Sequence, residues 1–262
     1  SWYGLRVADE FKMLRAARSI RGPRVVTTYL GPHARAPECK TTEAYVERIL
    51  RSDLIKVAQS GLADRADIFI DQGFFSLAQG KQFVAMAREL GLGLTIHADQ
   101  LSRTGAGHYG AQTGVASVDH VVKISAADSR AIGRTNTIAV LLPAADLYLD
   151  LAYPPARDLL AAGARVALAT DFNPGSCPTQ DLALVGLLAR LKMKMTLPEI
   201  IVAYTLNASA ALGLSHELGS IEVGKSCDLA VFAGSWRELF YQAGGMLASS
   251  VWRSGRNLWR TR

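Results

Sequence analysis

Six times along this chain a short apolar run gives way to a stretch with helical spacing, and this alternation limits the fold more than any other feature. The runs are residues 24–30 (RVVTTYL), 67–71 (DIFID), 94–97 (LTIH), 116–120 (ASVDH), 137–142 (TIAVLL) and 166–170 (VALAT). Such short apolar runs read as strands covered on both faces, as in parallel sheets. Helical spacing fills residues 8–20, 42–61, 76–90, 103–113, 125–133 and 155–163, and two adjacent helices follow the last strand. Ser76 with Gln79, and Ser125 with Asp128, have capping-box spacing. Thr196, Pro198 and Glu199 mark the start of the final helix, and Gly213 its end. Strand–helix alternation over this length predicts a parallel sheet with right-handed crossovers.

The polar residues follow the strands. His33 lies three residues past Leu30, and Asp71, His97, His120 and Asp171 each end or directly follow an apolar run. In a closed (β/α)8 barrel the C-terminal strand ends converge on one mouth, where the chemistry sits. Taken singly, each residue has an ordinary reading. A strand-end histidine is usually a hydrogen-bonded core residue, and Asp171, ahead of the loop Asn173-Pro174-Gly175, reads equally as a cap. Three histidines and an aspartate around one mouth point instead to a metal. Imidazole and carboxylate suit Zn²⁺ or Fe²⁺, and an open coordination position brings a bound water to a pKa of about 7. His108 and His216 fall elsewhere and read as surface or helix-end residues.

Residues 219–232 (GSIEVGKSCDLAVF) change character, with glycine turns and alternation that predict antiparallel hairpin strands, and residues 242–256 continue in that mode. A boundary near Leu214 divides the chain into residues 1–214, a catalytic barrel, and residues 215–262, part of a small β domain. The aromatic-basic ending (Trp252, Arg253, Arg256, Trp259, Arg260, Arg262) reads as a solvated edge strand, because no nucleic-acid recognition fold accompanies it. The formal charge of +6 comes from dispersed Lys and Arg, which suits anionic small molecules. Three cysteines without CxxC spacing indicate a reducing, cytoplasmic setting, and no apolar run is long enough to span a bilayer.

Several motifs together carry a family resemblance: YGL at Tyr3, YLGPH ending at His33, IHADQLS from Ile96, SVDH ending at His120, TIAVLLP from Thr137 and ATDFNPGSCP from Ala169. With these, the chain resembles the imidazolonepropionases of the amidohydrolase superfamily over nearly its whole length. The resemblance implies a (β/α)8 TIM-type barrel represented by its strands three to eight, hence N-terminally incomplete. It also implies the C-terminal strands of a small β domain.

The same resemblance implies one divalent metal, Zn²⁺ or Fe²⁺, bound by His97 and Asp171, with Asp171 also taking the proton of the attacking water. His120 would orient that water or polarise the substrate carbonyl. Gln100 would hydrogen-bond the imidazolone ring, Tyr3 and His33 would hold the substrate, and Asn173, Gly175 and Ser176 would receive it. The implied reaction is hydrolytic opening of 4-imidazolone-5-propanoate to N-formimidoyl-L-glutamate, in histidine degradation. The family's His-x-His pair has no counterpart in the sequence. The expected partners are the small-molecule substrate and, at most, a second copy of the chain in a homodimer, with no nucleic acid and no membrane. Two other functions fit the strand-end pattern: an aromatic-base deaminase, and a metal-free chain that binds a ligand or a partner chain.

Overall fold

The computed structural model describes residue 4, residues 6–244 and residues 248–260. Six parallel strands lie in one sheet in the order of the chain: β1 (Thr28–Tyr29), β2 (Arg65–Ile70), β3 (Gly93–Ala98), β4 (Ser117–His120), β5 (Ile138–Leu141) and β6 (Val166–Leu168). The helices are α1 (Val7–Ser19), α2 (Thr42–Arg48), α3 (Leu54–Ser60), α4 (Leu77–Glu89), α5 (Ala106–Thr113), α6 (Ala126–Gly133), α7 (Pro143–Tyr148), α8 (Ala156–Ala161), α9 (Leu182–Leu191), α10 (Leu197–Tyr204) and α11 (Leu206–Ala211). This is the α/β, TIM-like arrangement that the alternation predicts. Ala66, Ile68 and Ile70 turn outward to the helices and belong to the main core with Phe83, Val84 and Ala87 of α4. Asp67, Thr95, His97, Ser117 and Asp119 turn inward and line a cavity of about 470 Å³ inside the arc of strands. Met13, Leu14 and Ala17 of α1, and Ala208 and Ala211 of α11, also line it.

Local chemistry moved several boundaries. Only Thr28–Tyr29 of residues 24–30 forms a strand, and Thr27 just before it is tied to the residues that lead into β2. Its N–H donates to Asp64 Oδ2 at 2.8 Å, and its hydroxyl donates to the Leu62 carbonyl at 2.6 Å. The helix expected over residues 42–61 carries a π turn at Ile49–Asp53, which brings a buried Asp53 within 3.0 Å of Arg48 Nε. Residues 103–105 stay out of α5 because the Thr104 and Gly105 N–H groups donate to Asp99 Oδ1. Pro143 lies just past β5 and opens α7, at a first helical position where a missing N–H costs nothing.

The small antiparallel sheet has the order β7 (Leu229–Val231), β8 (Ser250–Arg253) and β9 (Arg256–Arg260). Of the hairpin expected over residues 219–232, only Leu229–Val231 is strand. Residues 221 and 223 find no partner strand among the described residues, and Ile221 and Val223 stand almost fully in solvent.

One helix contact is tight enough to predict from. A Cβ on Gly133, at the end of α6, would lie 2.0 Å from the Ala162 carbonyl oxygen beyond α8. Backbone cannot swing aside, so Gly133→Ala is expected to cost about 1–3 kcal/mol and to lower the melting temperature by several degrees. On Gly110 the nearest atom is Val118 Cγ1, a side-chain group that can give, so Gly110→Ala is expected to cost less. Calorimetry on the two variants checks the order; equal melting temperatures would contradict it.

Candidate active site

The C-terminal ends of the strands surround a second cavity, of about 310 Å³. His33, His97, Gln100, His120, Asp171, Asn173, Gly175 and Ser176 line it, with Phe69, Phe74, Leu101 and Leu149 as its apolar wall. Every site residue expected from the sequence is therefore at one cavity, except Tyr3, which lies outside the described residues.

Each reaches the mouth by a different local device. His97 is the fifth residue of β3, on the inward side of the pleat. His120 ends β4, and His33 sits in a 3-10 turn, Gly31–His33, just past β1. Asp171 follows β6 by three residues. The backbone is left-handed at Asp99, His120, Val121 and Asp171, with φ of 51°, 72°, 47° and 54°. For a β-branched valine that conformation is strained, and strain of this kind collects where function holds the chain in place.

The three histidines cluster around the mouth, His33 edge-on to His97 and His120 tilted against it. The His97 ring centroid is 4.5 Å from that of His33 and 5.1 Å from that of His120. His120 Nε2 is 4.0 Å from Asp171 Oδ2, and its Nδ1 is buried without a hydrogen-bond partner. Burial, reinforced by the neighbouring His97 charge, pushes His120 well below the ordinary imidazole value and keeps it neutral. Burial also lowers His33, again with the His97 charge in support. His97 goes the other way. Burial opposes its charge, but the Asp67 carboxylate, with Asp119 and Asp171 behind it, outweighs that and raises it to about 9.

Asp67 and Asp119 are the residues that sequence reasoning missed. Asp67 was visible only as the first letter of DIFID. Its Oδ1 accepts from His33 Nε2 at 2.7 Å and lies 2.8 Å from His97 Nδ1, while Oδ2 accepts from the Thr95 hydroxyl. Asp119 Oδ2 is 4.0 Å from His97 Nδ1. Burial pushes Asp119 up to about 7, with the Asp67 charge adding to it, against the pull of His97. The usable signal was the period of two: Asp67 and Asp119 share the inward face with Thr95 and His97.

Two polar residues past the strands organise the loops around the mouth. Asp71 is a loop organiser that accepts the N–H groups of Gln72, Gln100, Leu101 and Ser102. Asn173 binds its own loop. Its Nδ2 donates to the Asp171 carbonyl at 2.8 Å, and its Oδ1 accepts the N–H of Gly175 at 2.9 Å and of Ser176 at 2.7 Å. These are the very groups expected to receive a substrate, so here they shape the cavity wall around Asp171.

The donor set suits a divalent cation. Neutral His120, with its buried orphan nitrogen, and the cation-favouring surroundings of His97 and Asp171 present two imidazoles and a carboxylate to one cavity. No helix among the described residues is long and apolar enough to cross a membrane, and Cys39, Cys177 and Cys227 are free thiols.

Comparison with known proteins gives the same picture. The imidazolonepropionase of Bdellovibrio bacteriovorus is 46% identical over 261 residues, which are 100% of this chain and 62% of that protein. The imidazolonepropionase of Fusobacterium nucleatum is 36% identical over 261 residues, covering 98% of this chain and 63% of that protein. The chain thus spans a little over three-fifths of the length of these curated relatives. Among solved structures, a zinc-bound adenosine deaminase from Xanthomonas campestris superposes with a TM-score of 0.74 at 17% identity, over 98% of this chain and 64% of that one. A triazine hydrolase variant superposes with a TM-score of 0.73 at 18% identity, over 94% of this chain and 63% of that one. At such identities the likeness is one of fold. The family model for amidohydrolases matches residues 8–257, so the strand-end histidines and aspartate stand in a sequence that is of that kind nearly from end to end: the chain belongs to the amidohydrolase family.

Proposed function

We propose that this chain carries the hydrolytic site of an imidazolonepropionase, opening the ring of 4-imidazolone-5-propanoate to N-formimidoyl-L-glutamate. The observation that carries the reading is the meeting of His97, His120 and Asp171 at one cavity with Gln100, His33 and the loop of residues 173–176. Identity of 36–46% to imidazolonepropionases supports it. Residues 1–214 form the catalytic part and residues 215–262 the small β part. The site acts on a small molecule in the cytoplasm.

His97 and Asp171 would hold the metal, Zn²⁺ or Fe²⁺, which would supply Lewis acidity and a water of lowered pKa. Asp171 would take the proton of the attacking water and pass it to the departing ring nitrogen. His120, neutral and 4.0 Å from Asp171, orients the water or polarises the carbonyl. Gln100 hydrogen-bonds the ring and fixes which face is presented. His33 and Tyr3 hold the substrate, and Phe69, Phe74 and Leu101 give it an apolar wall. The Asn173 loop keeps Asp171 in position from below.

The test is turnover by the purified chain supplied with Zn²⁺ or Fe²⁺, followed by the loss of imidazolone absorbance, with guanine and related bases as competitors for the assignment. Ring opening is the expected result. Deamination of a base without ring opening would move the chain to the deaminases, and turnover of neither would remove the hydrolase reading from this chain.

A further inference from the structure

We propose that Asp67 is a positioning residue of this site: one buried carboxylate oxygen engages His33 and His97 together, so that His97 presents Nε2, not Nδ1, to the cavity and its metal. The inference rests on the reading of His97 as a metal ligand given above, and it extends to a residue outside the expected site.

Geometry separates this role from that of a ligand. His33, Asp67 and His97 are close enough to be taken for a metal cluster, each offering an atom within 4.8 Å of the others. The contacts are too short for that. Two atoms on one tetrahedral Zn²⁺ at about 2.0–2.1 Å stand roughly 3.3 Å apart. His33 Nε2 and His97 Nδ1 approach Asp67 Oδ1 to 2.7 Å and 2.8 Å, the distance of charge-assisted hydrogen bonds and ion pairs. A proton, not a metal, belongs between them. The His33 contact meets hydrogen-bond geometry, and His97 Nδ1 lies 2.8 Å from the same oxygen, near enough for a proton carried on Nδ1 to face it.

Asp67 is placed for this by the sheet. It sits on β2 directly beside Thr95 of β3, whose hydroxyl donates to its other oxygen. His97 follows two residues along β3 on the same face, and His33 closes over from the turn after β1. The carboxylate is only 1% exposed, and an ionised carboxylate so deep is costly without partners. Here two imidazoles and a hydroxyl receive it. A histidine that binds a metal through one nitrogen is held in tautomer and direction by an acceptor at the other. With Nδ1 of His97 facing Asp67, Nε2 is the nitrogen left for the cavity that His97 lines. Asp67 lines the inner cavity and not the mouth, so it acts through His97 and His33 rather than on a substrate.

Two variants and one spectrum test this. In Zn²⁺-loaded protein labelled with ¹⁵N-histidine, His97 is expected to carry its proton on Nδ1 and to show the metal-induced shift on Nε2. Asp67→Asn is expected to weaken Zn²⁺ binding 10–100-fold in chelator competition. Thr95→Val, which removes only the outer donor, is expected to weaken it a few-fold in the same direction. A metal-bound Nδ1 on His97 would overturn the proposal. So would Zn²⁺ affinity within twofold of the parent in folded Asp67→Asn protein, which would reduce Asp67 to a structural role read only in the melting temperature. If Asp67→Asn does not fold, the spectrum of the parent and the affinity of Thr95→Val decide. Failure of the parent to bind Zn²⁺ refutes it as well. None of these readouts uses a substrate, so the expected spectrum and affinities without ring opening would keep Asp67 in its role while removing the imidazolonepropionase reading.

Discussion

Asp171→Asn is expected to lower ring opening about a thousandfold or more while leaving the melting temperature nearly unchanged. On the function proposed above, the carboxylate does two things at once, holding the cation and taking the water proton. General base catalysis alone is worth about 10²–10⁴-fold, and the lost ligand adds to that. Asparagine keeps the shape and one acceptor oxygen but has no place for a proton. It also tolerates the left-handed backbone at this position, φ 54°, better than other residues do, so the loop is not strained by the change. The measurement is kcat and bound metal on the same preparations, with a thermal melt as control. Activity within tenfold of the parent would take the proton transfer away from Asp171.

The second large effect concerns stability. Asp146, in α7, is fully buried, and among the described residues neither of its carboxyl oxygens has a hydrogen-bond partner. Burial, with the charge of Asp171 adding to it against the pull of Lys123, pushes the carboxyl up from 3.8 to about 7. Between those values the folded chain keeps a proton that the unfolded chain has released. Stability from this group is therefore fully present below about pH 4 and is lost as the pH rises through 7. A shift of some three units corresponds to an effect on the order of 4 kcal/mol. Asp146→Asn cannot ionise, and it is expected to flatten this slope. The variant should match the parent near pH 4 and exceed it at pH 8 by up to about 4 kcal/mol, read from urea midpoints at the two values. A parent–variant difference independent of pH would show that Asp146 reaches water or a partner.

Much of this molecule was legible as period and punctuation. The order of the six strands follows the order of the apolar runs, and the caps at Ser76 and Ser125 form as their spacing predicts. The polar residues past the strands were legible for the same reason. A barrel-type sheet brings the ends of its strands together, so position along each strand predicts position around the mouth. What spacing could not carry was competition for donors. Asn173, a substrate group by family resemblance, also accepts the N–H groups beside it through its amide oxygen, a contact that spacing alone does not give. Residues 221 and 223 alternate like a strand, yet a strand exists only where a second one accepts its ladder.

The chain's own residues determined the strand–helix order, the residues at the strand ends and the types of donor available there, because each depends on near neighbours along the chain. Tertiary structure alone decided that Asp67 of β2 meets His33 and His97, residues 34 positions before it and 30 after, that burial lowers His120 while nearby carboxylates raise His97, and that Asp146 is buried without a hydrogen bond from the described residues. Those outcomes turn on burial and on charges a few ångströms away through space, and neither quantity is written in the spacing of residues along a strand.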